Sequence, residues 1–128
     1  MSKSIGISET VRQGLRTLRS AGGFSVCLQS GRFADHDSGY MVSLRGLEMR
    51  LSDVMEQALQ ERLLEQYLAT VAVKHGGQAV MHYWGGWRSG GFSYFDVSIH
   101  IESRGEAVSM ALRHGQEAIY DCKRCEVF

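Results

Sequence analysis

Aromatic side chains and an arginine surround a glycine-rich stretch near the middle of the second half of the chain, and these residue types are suited to binding. The stretch runs Trp84-Gly85-Gly86-Trp87-Arg88-Ser89-Gly90-Gly91-Phe92. Aromatic rings and arginine are enriched at binding hot spots because they desolvate a large area at a low entropy cost. We therefore predict a partner-binding surface made of Trp84, Trp87, Arg88, Phe92 and Tyr94.

Three arginines near the N-terminus suggest a second kind of binding. Arg12, Arg16 and Arg19 recur at helical spacing, so they share one face of a helix and could contact phosphates or an acidic partner. Aromatic rings also stack on unpaired bases. The alternative to a protein-binding surface is therefore a nucleic-acid-binding module that combines these arginines with the aromatic stretch.

Polar residues alternate along a later segment in a way that invites a catalytic interpretation. Asp96, Ser98 and His100 share one strand face, and His82 could lie opposite Asp96. A catalytic triad needs an exposed serine beside the base and an oxyanion hole, which neighbouring positions of one strand rarely supply. No nucleophile-elbow pattern occurs in the chain. We favour a solvated sheet face and expect no catalytic residue.

Two cysteines have the spacing of half a zinc site. Cys122 and Cys125 are separated by Lys123 and Arg124, but a closed structural site needs four ligands and the chain has no second such pair. Cys27 and His114 could complete a site only if the fold brought them near. The favoured interpretation is two cysteines in a tight turn, and we expect no metal and no cofactor.

Length and composition limit the class of protein. The 128 residues correspond to one domain, and 44% of them are hydrophobic, close to the globular average. A formal net charge of zero argues against whole-surface attraction to nucleic acid or to an anionic membrane. No apolar run approaches the roughly 20 residues that span a bilayer, and Met1 to Thr10 lacks a secretory pattern. Three cysteines is an odd number, so no disulfide framework can use them all, and we expect free thiols. Together with the missing secretory pattern, this predicts a small soluble cytoplasmic domain.

Helical periodicity and glycine punctuation place the elements of the first half. Ser8 to Arg19 is a predicted short helix capped by Ser8 and ended by Gly22 and Gly23. Phe24 to Gln29 and Tyr40 to Leu44 are predicted to form an antiparallel pair of strands. Ser52 to His75 is the predicted long helix, lying across the sheet with Leu59 and Leu63 in the core.

The second half reads as two hairpins and a helix. The predicted elements are strands Gln78–Trp84 and Phe92–Glu102, a helix opened by a capping box from Ser103 to Glu106, and a hairpin of Ala118–Asp121 and Cys125–Phe128. Alternation in the second strand directs Phe95, Val97, Ile99 and Ile101 to the core. We expect Ala79, Met81 and Tyr83 beside them, His82 and Trp84 on the opposite face, and Trp87 exposed at the hairpin tip.

Together these elements predict the order α-β-β-α-β-β-α-β-β. This is a single α+β domain with a largely antiparallel sheet, one long helix and two short ones. Residues 1–23 hold the basic N-terminal helix and residues 24–128 form the core.

Several segments of the last two thirds resemble small proteins carried by bacterial phages and plasmids, mostly of unassigned function. The segments are Gly39-Tyr40-Met41-Val42-Ser43-Leu44, Phe95-Asp96-Val97-Ser98, Arg104-Gly105-Glu106-Ala107 and His114-Gly115-Gln116-Glu117-Ala118-Ile119-Tyr120-Asp121. The resemblance implies a mobile-element setting and no catalytic residues. We accordingly expect a non-enzymatic interaction protein that binds a host protein, such as a defence or replication component.

Overall fold

A computed structural model describes residues 6–33, 36–44, 46–75, 82–113, 115–116 and 119–128. Three helices and seven strands lie in this part of the chain. The helices are α1 (Ile7–Ala21), α2 (Gln57–His75) and α3 (Arg104–Arg113). The strands are β1 (Gly23–Cys27), β2 (Tyr40–Ser43), β3 (Met49–Ser52), β4 (His82–Ser89), β5 (Phe92–Ile101), β6 (Tyr120–Asp121) and β7 (Glu126–Val127). This confirms the predicted α+β class, and β3 is an additional strand.

The strands form one antiparallel sheet in the order β1-β4-β5-β2-β6-β7, and β3 pairs with β5 beside β2. The expected pairing of the two strands nearest the N-terminus is wrong. Strand β1 pairs with β4, and β2 pairs with β5 and β6. The long loop between β1 and β2 lets the two strands separate, so the central β4–β5 hairpin takes the positions between them.

The register of that hairpin follows from a two-residue turn. Gly90 and Gly91 both have positive φ, 60° and 85°, which only glycine adopts readily and which a two-residue type I′ turn requires. Ser89 therefore pairs with Phe92, and Trp84 pairs with Val97. The expected register is wrong because β4 continues through Gly85 and Gly86 to Ser89 instead of ending at Trp84.

The start of the long helix is also corrected. Residues Met49–Ser52 form β3, with Leu51 opposite Ser93 of β5, and α2 begins only at Gln57. The buried side chains among residues 57–72 of this helix are Gln60, Leu64, Leu68 and Val71. Leu59 is 43% exposed, contrary to expectation, whereas Leu63 is partly buried against the core.

All three helices contribute to one hydrophobic core. Helix α1 supplies Val11, Leu15 and Leu18, and its predicted glycine stop is confirmed by Gly22, whose backbone N–H donates to the Leu18 carbonyl. The helix begins at Ile7 with Gly6 as its cap residue, so Ser8 is not the cap. The buried strand residues of this cluster are Val26, Val42, Leu51, Trp84, Phe95, Val97 and Ile99. The predicted core face of β5 is confirmed at Phe95, Val97 and Ile99, which are buried, while Ile101 is half-buried.

The C-terminal part closes the sheet. Ser103 lies directly before α3 and makes its half of the predicted capping box, since its side-chain oxygen accepts from the Glu106 backbone N–H at 3.4 Å. Ala107 and Ala111 are buried and form the face of this helix that packs against the core. The final hairpin adds β6 to the edge of β2.

Candidate functional site

A groove crosses the face of the sheet that points away from the core cluster. It has a volume of about 690 Å³. Its walls come from strands, loops and the C-terminal turn, and no described helix residue takes part: Phe24, Ser25, His36, Met41, Ser43, Gly85, Gly86, Trp87, Asp96, Ser98, Gln116, Ile119, Tyr120, Cys122 and Cys125. The groove reaches from β1 to β6, a width that suits an extended ligand.

Two adjacent glycines in β4 allow close approaches on the two faces of the sheet. A Cβ on Gly86 would lie 2.5 Å from the Phe24 ring, so this glycine lets Phe24 pack in the aromatic cluster with Trp84 and Phe95. A Cβ on Gly85 would lie 3.1 Å from Oδ1 of Asp96, which places Gly85 directly against that carboxylate. Glycine inside a strand is costly and often marks a close approach of backbone or ligand. Here Gly86 leaves room for the Phe24 ring, and Gly85 leaves room for the Asp96 carboxylate.

Asp96 is the charged group on the wall of the groove. Ser43 Oγ donates a hydrogen bond to its Oδ2 at 2.6 Å. Burial raises the pKa of Asp96, the hydrogen bond from Ser43 opposes this, and the negative charge of Glu48 raises it further. Asp96 takes part in no ion pair within the described residues. A largely desolvated carboxylate without a cation is an unfavourable arrangement in a folded protein.

Asp96→Asn is therefore expected to raise the melting temperature at neutral pH. The folded-state pKa of Asp96 lies above its ordinary value of 3.8, so this carboxyl group favours the folded state most when protonated. That contribution is present below pH 3.8 and is lost as the pH rises through the folded-state pKa. The stability gain of Asp96→Asn over the wild type should grow across that window. Thermal melts at a series of pH values measure it, and a gain that shrinks as the pH rises would contradict the burial of a charged carboxylate.

Trp87 lies at one end of the groove, and its ring stacks on Tyr94. The ring centroids are 5.6 Å apart with an interplanar angle of 11°, and Trp87 is 46% exposed. The predicted exposure of Trp87 is thus confirmed. Stacking on Tyr94 holds the indole in one orientation while leaving much of it in contact with water.

Trp84 is not part of this surface. It is fully buried, contacts Phe24 edge to face and stacks on Phe95. The expected surface position is wrong because the two-residue turn shifts the register by enough to exchange the two faces of β4.

Arg88 and Phe92 are separated from Trp87 in different ways. Arg88 lies on the other side of β4 by alternation and forms an ion pair with Asp53 at 3.4 Å, so it does not extend the groove beside Trp87. Phe92 is half-buried on the same strand face as Tyr94, with the guanidinium of Arg50 4.6 Å from its ring centroid. Of the five predicted binding residues, Trp87 lines the groove, and Tyr94 supports it by stacking on its ring.

The three N-terminal arginines are exposed, as a binding helix would require. Arg12 forms an ion pair with Glu9 at 2.9 Å. Helix α1 packs on the core side of the sheet, where Gly14 faces the Trp84 ring. The basic face and the groove therefore belong to opposite sides of the sheet, and no single flat nucleic-acid surface joins them.

The polar residues of the suggested catalytic arrangement are also distributed over both faces. His82 pairs with Ile99 and is buried on the core side, whereas Asp96 faces the groove. His100 stacks on His36 with ring centroids 4.0 Å apart, and its Nε2 lies 2.7 Å from the Ser38 carbonyl oxygen. The contact made by Asp96 is to Ser43, so the anticipated opposition of Asp96 and His82 is wrong.

Cys122 and Cys125 lie in the turn between β6 and β7, as the sequence predicts. The Asp121 carboxylate accepts from the backbone N–H groups of Lys123 and Arg124 at 3.0 and 3.1 Å, which holds the turn. Burial raises the pKa of Cys122 to about 11, so its thiol is protonated at neutral pH. Among the described residues no group of three or more histidine, cysteine, aspartate or glutamate side chains could hold a metal ion. His114 lies outside the described residues.

The chain was compared with protein-family models, curated proteins and solved structures. No match was found in any of them. In the described part of the chain, no helix has both the length and the apolar character needed to cross a membrane.

The sequence pattern did not single out Ser43, Ser25 or Gly85 as site residues. Ser43 and Asp96 are 53 positions apart in the chain, and only the β2–β5 pairing brings them together. The signal in the sequence is Asp96 on the polar face of an alternating strand, next to a hairpin partner that contains two adjacent glycines.

Proposed function

We propose that the protein is a non-enzymatic interaction module that binds another protein through the groove on its sheet. The observation that carries the proposal is the exposed Trp87 ring, which lines a groove of about 690 Å³ and stacks on Tyr94. An oriented aromatic ring beside a concave surface loses little conformational entropy when a partner covers it.

The resemblance to phage and plasmid proteins supports a host protein as the partner, such as a component of defence or replication. Charge argues for a protein and against nucleic acid at this groove, because its charged wall residue is Asp96, which repels phosphate. The basic residues Arg12, Arg16 and Arg19 belong to α1, on the other side of the sheet.

Trp87→Ala is expected to abolish partner capture while changing the free energy of unfolding by about 1 kcal/mol or less, the value of an exposed aromatic stack. Tagged wild type and variant are used as bait in lysate of the host bacterium, with thermal melts in parallel. The matched control is Leu112→Ala, which removes another exposed apolar side chain, 75% exposed on α3. This control should capture the partner as the wild type does.

Treatment with nuclease and raised salt completes the design. Capture of a protein should survive both, since phosphate contacts weaken steeply with salt and this interface does not depend on them. Equal capture by Trp87→Ala and wild type, or capture that disappears with nuclease, would overturn the proposal.

A further inference from the structure

The wall of the groove beside Gly85 combines a carboxylate that has no cation partner among the described residues with a hydroxyl that has no hydrogen-bond partner there. Ser25 of β1 pairs with Gly85 of β4, and Gly85 pairs with Asp96 of β5, so the three residues form one row across the sheet. Adjacent strands are separated by about 4.8 Å. Gly85 thus leaves a gap between the two polar side chains, and a ligand group of a few atoms could occupy it.

Both polar groups have unused hydrogen-bonding capacity. The Oγ atom of Ser25 is buried and has no hydrogen-bond partner in the part of the chain that the structure describes. Asp96 accepts from Ser43 through Oδ2, and its Oδ1 faces Gly85. Buried polar atoms are nearly always satisfied in folded proteins, so the unpartnered Ser25 hydroxyl, on one row with a carboxylate that has no cation among the described residues, points to a ligand that supplies a donor to both.

The charges around Asp96 favour a positively charged ligand group. The groups that act on Asp96 are the Ser43 hydroxyl and the negative Glu48, and no cation within the described residues pairs with it. A positive group entering the gap would compensate the buried charge, and a charge-assisted hydrogen bond there is about twice as strong as a neutral one. A negative group would be repelled.

We propose that the groove binds a segment of the partner protein that places a lysine or arginine side chain over Gly85, where its N–H groups donate to Asp96 and Ser25. This inference rests on the proposed function and names the chemistry of the partner. A peptide segment suits the site because the groove is open and crosses the sheet from β1 to β6. Trp87, two residues further along β4 than Gly85, would pack against an apolar residue of the same segment.

A library of random linear peptides tests the inference without knowledge of the natural partner. The library is selected on immobilised wild-type protein, and the enriched peptides are synthesised and titrated calorimetrically against wild type, Asp96→Asn, Trp87→Ala and Glu56→Gln. Glu56 is an exposed carboxylate before α2, so Glu56→Gln removes the same charge away from the groove. Asn keeps the shape of Asp96 and its capacity to accept from Ser43.

We expect the enriched peptides to share a basic residue. Asp96→Asn should weaken their binding by about tenfold or more, and Glu56→Gln should leave the dissociation constant unchanged. Replacing the peptide's arginine with citrulline, or its lysine with norleucine, should weaken binding to wild type much more than binding to Asp96→Asn, since in the variant the charge pair is already lost and only the contact with Ser25 remains.

The outcomes separate the two proposals. Peptides that need Trp87 but bind wild type and Asp96→Asn equally would overturn the basic-residue inference and leave the binding function standing. Peptides without a common basic residue would do the same. Selection that enriches no Trp87-dependent peptide would overturn the proposed function and this inference with it.

Discussion

Replacing Trp84 with alanine is expected to lower the free energy of unfolding by about 3–5 kcal/mol, because the change removes a fully buried aromatic side chain and leaves a cavity. The indole lies between Phe24 and Phe95 and faces Gly14 of α1. Its loss would weaken the packing of α1 on the sheet, where Val11, Leu15 and Leu18 also contribute. Chemical denaturation followed by circular dichroism measures the effect.

Trp84→Phe and Trp87→Ala are the controls for this experiment. The indole N–H of Trp84 has no hydrogen-bond partner among the described residues, so phenylalanine keeps much of the packing and removes a buried unsatisfied donor. Trp84→Phe should therefore cost much less than Trp84→Ala. A cost for Trp84→Ala no larger than that of Trp87→Ala would show that the hairpin register described above is incorrect.

Leu64→Ala should cost about 2–5 kcal/mol, because Leu64 is fully buried in the core cluster. The matched control is Leu59→Ala, the same substitution on the same helix at a position that is 43% exposed. It should change the free energy of unfolding by about 1 kcal/mol or less. Equal effects at the two positions would show that Leu59 is buried, as the hydrophobic periodicity alone predicted.

The helix α2 shows what hydrophobic spacing can and cannot decide. Spacing correctly predicts a long helix ending at His75, because apolar residues recur over five turns. It also continues backward through Leu51 into a segment that forms β3. Pairing of Leu51 with Ser93 and of Met49 with Phe95 is a long-range interaction that overrides the local pattern. Because the apolar pattern begins before the helix does, it wrongly predicts that Leu59 faces the core.

The hairpin shows the same limit at the site. Alternation identifies the core side of β5 correctly, since its Phe, Val and Ile positions are unambiguous. In β4, which residues face the core depends on the position of the turn, and four glycines near the turn allow more than one position. A shift of one residue exchanges the faces of a strand, so Trp84 moved to the core while Trp87 remained exposed. Contacts between distant segments, such as Ser43 with Asp96, require the sheet order, which no local pattern provides.

Because one tryptophan is buried and the other is partly exposed, the intrinsic fluorescence of the protein can report on both the core and the groove. An indole in apolar surroundings emits at a shorter wavelength than one in contact with water. Trp84 is fully buried, and Trp87 is half in solvent at the groove. Emission from Trp84 therefore reports whether the core is intact, and emission from Trp87 reports whether the groove is covered. With Trp84→Phe the remaining fluorescence comes from Trp87 alone, so a titration can follow occupancy of the groove without any added dye.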